Sequence, residues 1–324
     1  VPPQQQAVKQ ERARPGPQRW TEPDEARPHL ASPPRAANSR SPAKLGASPQ
    51  QPKPTSCLAE CPQPLGPCQR PRRATTPFLL RPYQASGYLR AMSIYLVTGG
   101  CGFIGSNLVH ALVAQGEQVR ILDNLATGRH KNVAKLLSDR PGQVELWRGD
   151  ILDGPLLDRV MRDVDYVLHL GAMPSVIWSV ENPILCDRIN SGGTLQVLEA
   201  ARRQGKVKRV VIAASCAAYG DLRPAEAKRE DHELSPQSPY SAAKLASEHH
   251  GVVYSRIYGV PTVSLRYFNI FGVRQDPTSQ YAAVIPNFVR AVLQGRRPKI
   301  FRDGLQSRDF CYIDNVVSAN LLAC

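Results

Sequence analysis

The amino-acid sequence predicts an α/β fold, a doubly wound parallel sheet with helices on both faces. Two observations lead to this expectation. From Met92 onward, short runs rich in β-branched residues alternate with longer stretches of helical periodicity. The strand-like runs are continuously apolar, which is typical of parallel strands that are buried on both faces. A sheet of this kind binds its ligands at the carboxyl ends of the strands.

Each element of this fold has its own signal in the sequence. Strands are predicted for the short apolar runs at 94–97, 118–122, 144–147, 166–170, 209–213 and 262–265. Helices are predicted where apolar residues recur every three or four positions, over 103–114, 154–161, 183–203, 239–258 and 284–294. Because helices separate most of the strands, the sheet is expected to be parallel.

The first 91 residues differ in composition from the rest of the chain. They hold 18 of the 29 prolines, and 14 Lys and Arg against 5 Asp and Glu. Such a segment buries too little apolar surface to offset its ordering entropy, so a disordered tail is predicted over 1–91. Met92 is the first methionine and directly precedes the first strand. Two interpretations therefore stay open: a segment outside the natural coding sequence, or a native presequence or extension.

Composition also limits the partners of this chain. The tail arginines are dispersed among prolines and glutamines without a dense basic run, so nucleic-acid binding is not predicted. No run approaches the roughly 18 apolar residues of a spanning helix, so no membrane partner is predicted either. The 8 cysteines have no metal-ligand or disulfide spacing, which predicts no metal site and favours a reducing compartment.

A glycine-rich turn follows the first predicted strand. Gly99, Gly102 and Gly105 fall in a G-x-x-G-x-x-G pattern that runs directly into the helix beginning at Phe103. Glycines allow a tight turn and a close approach of phosphate, while the helix directs free amides and its positive dipole end at the anion. The pattern predicts a site for the pyrophosphate of a dinucleotide.

Acidic residues end the second and third predicted strands. Asp123 comes 18 residues after Gly105, where a carboxylate can accept hydrogen bonds from the hydroxyls of an adenine ribose. A carboxylate there repels a 2′-phosphate, so NAD is favoured over NADP. Asp150 ends the third strand and is expected near the adenine. An alternative for Asp123 is a cap on the loop that follows it.

A tyrosine and a lysine lie four residues apart at the start of a predicted helix. Ser238 can cap that helix, Pro239 suits its first position, and Tyr240 and Lys244 then share one face. An ammonium beside a phenol favours phenolate, so we expect Lys244 to lower the pKa of Tyr240 and make it a usable base. Ser215 follows a strand that should end at the same edge of the sheet.

Together these motifs resemble the extended short-chain dehydrogenase/reductases, which have a Rossmann-like sheet and a smaller substrate domain. The combination is Thr98 to Gly105, Ser215, and Tyr240-x-x-x-Lys244. Four further segments resemble the nucleotide-sugar 4-epimerases, in particular the bacterial UDP-glucose and UDP-N-acetylglucosamine 4-epimerases: 123–125, 169–172, 265–272 and 307–314. The resemblance covers 93–324. It divides the chain into the tail at 1–91, an NAD-binding domain at 92–265 and part of a nucleotide-sugar domain at 266–324.

The resemblance implies an enzyme, an NAD-dependent isomerase that inverts C4 of a UDP-hexose. Tyr240 as phenolate would take the proton of the 4-hydroxyl while C4 passes hydride to NAD. Ser215 would hydrogen-bond the reacting oxygen, and Lys244 would hold the nicotinamide ribose. The 4-keto sugar would then rotate within the site and take the hydride back on its other face.

The resemblance also implies binding residues. For the cofactor they are Gly99, Gly102, Phe103, Ile104, Gly105, Asp123, Asn124, Asp150, Ile151, Leu170, Ala172, Asn190, Lys244 and Phe268. For the substrate they are Ser175, Asn269 and Arg308, of which the last two would hold the diphosphate. A cytoplasmic homodimer is implied as well, with the helices at 183–203 and 239–258 as candidates for the interface.

Some residues depart from the family pattern and leave the reaction open. Gly171-Ala172 replaces the usual alanine pair. Cys216 and Ala217 stand where related dehydratases and decarboxylases have an acid, which favours epimerisation but keeps those reactions as an alternative. The family continues well beyond Asp314, so the substrate domain is expected to be truncated at the C-terminus. The sequence also leaves open a catalytically silent NAD-binding protein and an NADP-dependent carbonyl reductase.

Overall fold

A computed structural model describes residues 92–221, 227–276, 284–300, 304–305 and 307–324. The predicted tail at 1–91, with its expected disorder, lies outside the described residues. Within the described ranges, no helix combines the length and the hydropathy needed to cross a membrane.

Six parallel strands form the main sheet, and all six were predicted within one or two residues of their observed ends. The strands are β1 (Ile94–Thr98), β2 (Gln118–Asp123), β3 (Val144–Arg148), β4 (Tyr166–His169), β5 (Arg209–Ser215) and β6 (Thr262–Tyr267). Their order is β3-β2-β1-β4-β5-β6, with every neighbouring pair parallel. This order confirms the predicted Rossmann-like fold, and its reversal between β1 and β4 opens a crevice at the carboxyl edge.

Helices connect these strands and cover both faces of the sheet. They are α1 (Phe103–Ala114), α2 (Ala134–Asp139), α3 (Gly154–Val160), α4 (Val176–Glu181), α5 (Pro183–Asp187), α6 (Gly193–Gln204), α7 (Pro239–Tyr258), α8 (Val284–Leu293) and α9 (Ile313–Ala323). A second, two-stranded parallel sheet pairs β7 (Ile270–Phe271) with β8 (Cys311–Tyr312).

One helix differs from its prediction. The sequence predicted a continuous helix over 183–203, whereas the structure has α5, a π-helical turn at Arg188–Gly192, and then α6. A π-turn holds one residue more than an α-turn, and this change of register was not visible in the apolar spacing. Helices α2 and α4 were not predicted because six residues are too few to display a periodicity.

The core consists of two apolar layers, one on each face of the sheet. Leu96 of β1 packs in the layer under α3, α6 and α7, and its neighbour Val97 packs in the layer under α1 and α2. Side chains along a strand alternate between the faces, so one apolar run supplies both layers. Helix α9 adds Val317 and Leu321 to the second layer, which attaches the last described segment to the main sheet.

Leu168, in the centre of the sheet, provides a test of this core. It is 0 % exposed, so Leu168→Ala is expected to lower the free energy of unfolding by about 2–5 kcal/mol through lost burial and a cavity. Leu322 on α9 is 85 % exposed, and Leu322→Ala is the matched control, with a change within about 0.5 kcal/mol. Urea denaturation followed by circular dichroism measures both. Equal losses in the two variants would contradict this description of the core.

Candidate active site

A cleft of about 650 Å³ lies at the carboxyl edge of the sheet, where the fold predicts a ligand. Strand ends and the loops that follow them form its walls. The sequence-predicted residues that line it are Gly99, Gly102, Phe103, Ile104, Gly105, Asp123, Asn124, Asp150, Ile151, Leu170, Ala172, Ser215, Tyr240, Lys244, Phe268 and Asn269. Segments far apart in the sequence therefore meet in one cavity.

The glycine-rich turn has the shape that a pyrophosphate requires. Gly99 has φ +68°, a conformation that favours glycine, and Gly102 caps α1 without a side chain. A Cβ on Gly102 would contact only the carbonyl oxygen of Gly99, at 3.1 Å, and would otherwise enter the cleft. A Cβ on Gly105 would lie 2.2 Å from the same oxygen, so that glycine is needed for close packing of the turn. The turn thus presents bare backbone to an anion at a helix N-terminus.

The carboxylate of Asp123 is fixed at the end of β2. It is buried, and its Oδ2 accepts from the Cys101 backbone N–H at 2.9 Å while Oδ1 accepts from that of Leu125 at 2.8 Å. Each oxygen keeps further lone-pair capacity, which suits ribose hydroxyls. Beside it, Asn124 donates to Asp150 at 2.9 Å across the ends of β2 and β3. These residues fit the adenosine half of NAD.

Tyr240 and Lys244 lie in the first turns of α7, on its buried side. Ser238 caps this helix reciprocally with Ser241, and Pro239 occupies the first helical position, as predicted. The hydroxyl of Ser179 accepts from the Tyr240 backbone N–H at 3.2 Å. The ammonium of Lys244 donates to the Ala213 carbonyl oxygen at 2.9 Å and so ties α7 to β5.

The electrostatics of Tyr240 differ from the expectation. Burial raises the pKa of Tyr240 to about 12, and a hydrogen bond with Ser215 opposes this rise. Burial also lowers the pKa of Lys244 to about 8. The prediction that Lys244 lowers the pKa of Tyr240 is wrong in this arrangement, because Lys244 loses its proton at lower pH than Tyr240 does and donates to Ala213. The phenolate is instead favoured by Ser215, at the end of β5.

Three sequence-predicted residues do not line the cleft. Asn190 is 1 % exposed and lies behind it, where its amide pairs with the backbone of Met173. Ser175 caps α4 through its hydroxyl, which accepts from the Trp178 N–H at 3.0 Å. Arg308 lies outside the wall. The backbone carbonyl oxygen of its neighbour Asp309 nonetheless accepts from the Asn269 side chain at 2.7 Å, so the two predicted diphosphate segments are adjacent.

Sequence reasoning missed Arg274, which lines the cleft near the phosphate turn. Its φ is +66°, and its guanidinium donates to Asn107 Oδ1, whose amide in turn donates to the Phe103 carbonyl at 2.8 Å. The Nε atom of Arg274 is buried with no hydrogen-bond partner among the described residues. A lone arginine in a loop carries no spacing signal, so only the folded chain reveals it as a cation beside an anion site.

Residues 95–324 match the model of the NAD dependent epimerase/dehydratase family. The chain belongs to this family. Its cofactor is therefore NAD, as predicted, and the turn, Asp123 and the Tyr240-Lys244 pair fit that cofactor.

Individual relatives support the same assignment. A putative UDP-glucose 4-epimerase of Methanocaldococcus jannaschii is 39% identical over 70% of this chain and 72% of its own length. A UDP-N-acetylglucosamine 4-epimerase structure from Methanobrevibacter ruminantium has a TM-score of 0.67 at 38% identity, covering 72% of this chain and 73% of that one. A Thermus thermophilus UDP-glucose 4-epimerase in complex with NAD has a TM-score of 0.64 at 40% identity, covering 71% and 74%.

The family also contains enzymes with other reactions. A UDP-N-acetyl-α-D-glucosaminuronate decarboxylase of Bacillus cytotoxicus is 35% identical over 70% of this chain and of its own length. A dTDP-glucose 4,6-dehydratase of Mycobacterium tuberculosis is 34% identical over 69% of this chain and 66% of its own length. The predicted enzyme class, an NAD-dependent isomerase, is confirmed by the 4-epimerase relatives and structures.

Asp123→Asn tests the cofactor site. One carboxylate oxygen becomes an amide that faces a backbone N–H, so we expect the NAD dissociation constant to rise about tenfold or more. Titration calorimetry with NAD measures the change. Asp163→Asn is the control, because that carboxylate is 71% exposed in a surface ion pair. An unchanged dissociation constant in Asp123→Asn would exclude this carboxylate from the NAD site.

Proposed function

We propose that this enzyme epimerises C4 of a UDP-hexose through a transient 4-keto sugar, on either the UDP-glucose and UDP-galactose pair or the N-acetylated pair. The observation that carries the proposal is that Ser215, Tyr240 and Lys244 meet at one end of the NAD cleft. Strand β5 supplies the serine and two successive turns of α7 supply the tyrosine and the lysine. The meeting of strand and helix follows from the fold and not from proximity in sequence.

The roles follow from the contacts of each side chain. Tyr240 would exchange a proton with the sugar 4-hydroxyl, and Ser215 would hydrogen-bond the same oxygen while it lowers the pKa of the phenol. Lys244 would hold the nicotinamide ribose from the floor of the cleft. When bound, NAD supplies the hydride acceptor and a positive charge that favours phenolate. Asn269, which lines the cleft, would hold the diphosphate of the substrate. The roles predicted for Arg308 at the diphosphate and Ser175 at the sugar stay predictions, because neither residue lines the cleft.

A dehydratase or decarboxylase is the alternative, and the carboxylates of the cleft argue against it. Removing water or carbon dioxide needs an acid or base near the reacting carbon. Among the described residues, those lining the cleft include three carboxylates, of Asp123, Asp150 and Asp276. Asp123 and Asp150 lie at the ends of β2 and β3, on the side predicted for adenosine and not for the sugar. Asp276 forms an ion pair with Arg129. Beside Tyr240, Cys216 and Ala217 supply no carboxylate.

We also propose a boundary between the NAD-binding and substrate domains at residues 265 and 266. It lies within β6, two residues before the strand ends at Tyr267 and the chain continues to β7. We also propose a cytoplasmic location, which the five free cysteines of the described residues support because disulfides are rare in reducing compartments.

The activity test uses the full chain with NAD and either UDP-glucose or UDP-N-acetylglucosamine in separate tubes. Proton NMR of the anomeric region is expected to show the galacto epimer of one or both sugars. Tyr240→Phe should abolish the signal, because it removes the proton acceptor and keeps the ring. A 4-keto-6-deoxy product would instead establish the dehydratase. A third tube with a UDP-hexuronate, which carries the C6 carboxylate that the other two sugars lack, tests the decarboxylase, whose products would be carbon dioxide and a UDP-pentose. NAD binding without any product would favour the catalytically silent alternative.

A second variant tests the role of Ser215 through pH. The hydrogen bond from Ser215 lowers the pKa of Tyr240, so Ser215→Ala should raise that pKa and move the alkaline rise of kcat/KM to higher pH. Ser215→Thr keeps a hydroxyl and should restore the original profile. If both variants share the wild-type profile at reduced rate, Ser215 does not act on the phenol.

We also propose a homodimer formed by α4, α5 and α7. These helices pack on one another, and each carries exposed apolar side chains, which together we call the apolar row. The row consists of Ile177, Val180, Ile184, Val253 and Ile257, each 43% exposed or more. An uncharged apolar row is complementary to itself across a two-fold axis, so a second copy of this chain is the occupant that fits best.

Light scattering after size-exclusion chromatography tests the dimer. Ile257→Lys introduces a charge that faces its own copy or an apolar surface, and we expect it to give a monomer. Leu322→Lys on α9, at a position 85% exposed and outside the row, is the control and should remain dimeric. A wild-type chain that is monomeric at micromolar concentration would refute this interface.

A further inference from the structure

Four buried polar side chains lie directly behind the cleft wall and have no part in the roles described so far, apart from the prediction for Asn190. Thr98, His169, Thr194 and Asn190 are 0–3 % exposed, and none of them lines the cleft. Buried polar groups must find hydrogen-bond partners within the protein. The partners of these four form one continuous chain.

The direction of this chain is set at Thr98. Its Oγ1 accepts from the backbone N–H of Gly171 at 2.9 Å and from that of Leu170 at 3.1 Å, and an N–H can only donate. The Leu170 N–H is shared with the Thr98 backbone carbonyl oxygen, at 3.2 Å. A hydroxyl oxygen has two lone pairs, so both are occupied and its single hydrogen must be given to a third partner. That partner is His169 Nδ1, at 2.8 Å. His169 Nδ1 is therefore an acceptor and carries no proton.

The remaining ring nitrogen continues the chain. An imidazole that accepts at Nδ1 carries its hydrogen at Nε2, which lies 3.0 Å from Thr194 Oγ1. Thr194 in turn gives its hydrogen to the backbone carbonyl oxygen of Asn190 at 2.6 Å or to Ser247 Oγ at 3.1 Å, so the link to Asn190 passes through its backbone. The side chain of Asn190 then binds the Met173 backbone twice, at N–H and at C=O.

Both ends of this chain hold the same segment of the cleft wall. Thr98 fixes Leu170 and Gly171, and Asn190 fixes Met173. The segment also abuts the phosphate turn, since a Cβ on Gly99 would lie 3.0 Å from the Gly171 nitrogen. A shift of this wall by a few tenths of an ångström would therefore alter the space between it and the turn.

We propose that His169, as the uncharged Nε2–H tautomer, is a positioning residue that orders the Thr98-His169-Thr194-Asn190 chain and thereby holds segment 170–173 for NAD binding. This inference rests on the proposed function only for the identity of the ligand, NAD. A charged ring would need to donate at Nδ1 to an oxygen whose lone pairs are already taken. A histidine at this position thus supplies one acceptor and one donor on opposite sides of a flat ring.

The surroundings of the ring favour the uncharged form. The ring is buried between Thr98 and Thr194 at the carboxyl end of β4. The charged group that faces it is Lys244 of α7. Burial, followed by repulsion from Lys244, lowers the pKa of His169 to about 3. A protonated ring would also place a second buried cation near the ammonium of Lys244.

The first test is the tautomer itself. Long-range ¹H–¹⁵N correlation spectra of the full chain with ¹⁵N-labelled histidine distinguish a pyridine-like nitrogen from a pyrrole-like one. The signal of His169 is the one of the 7 histidines that moves in both Thr98→Ser and Thr194→Ser. We expect Nδ1 without a proton, Nε2 with one, and no titration between pH 5 and pH 8. An Nδ1–H tautomer, or titration near pH 6.5, would overturn the proposal.

The second test is NAD affinity in matched variants. Thr98→Val and Thr194→Val keep the side-chain shape but break a link, and each should weaken NAD binding about tenfold or more. Thr98→Ser and Thr194→Ser keep the hydroxyl and should stay within about threefold. Because both links meet at His169, the double valine variant should lose less than the product of the single losses.

A purely structural role gives a different result. It would lower the thermal midpoint of the valine variants while their NAD dissociation constant stays unchanged. If the NAD affinity losses of the two single variants multiply in the double variant, Thr98 and Thr194 act as two independent contacts. Should a valine variant fail to fold, the tautomer of the wild-type chain still decides. None of these measurements uses turnover, so failure of the 4-epimerase assay would leave them interpretable.

Discussion

The site depends on the reversal of strand order between β1 and β4. Because the chain leaves these neighbouring strands toward opposite faces of the sheet, none of the described helices covers the gap between their carboxyl ends. The phosphate turn after β1 and the 170–173 wall after β4 face each other across that gap, and β5 delivers Ser215 one strand further along. The same topology supplies both apolar layers, so the forces that stabilise the sheet also shape the cleft.

Burial disfavours the charged forms of Tyr240 and Lys244 in the cleft. It raises the pKa of Tyr240 and lowers the pKa of Lys244, so both groups tend toward their neutral forms. The described contacts offset this only in part, through Ser215 for the phenol and the Ala213 carbonyl for the ammonium. A site of this kind gains from the positive charge of an oxidised nicotinamide, which links proton exchange to a cofactor in the right redox state.

Much of this arrangement could be predicted from the sequence, because strands, phosphate turn and the Tyr240-Lys244 pair are local patterns. Three features of the site could not be predicted from the sequence. The pKa of Tyr240 depends on which neighbour Lys244 contacts, which spacing does not determine. Asn190 was predicted at the cofactor but lies one layer behind it, since a motif gives proximity and not contact. Arg274 lies in a loop without periodicity. Helix α9 was missed although Ile313, Val316 and Val317 had helical spacing.

The π-helical turn at Arg188–Gly192 holds one residue more than an α-helical turn, so it accommodates that residue without changing the orientation of α5 relative to α6. Deleting one residue there would leave α5 and α6 joined as one regular helix, with their outer faces in nearly the same relative orientation. The change would be confined to the turn itself, which contains Asn190, the residue that binds the Met173 backbone. An alignment gap of a single position within these five residues would therefore mark a homologue that keeps the outer helix surface but supports the cleft wall differently.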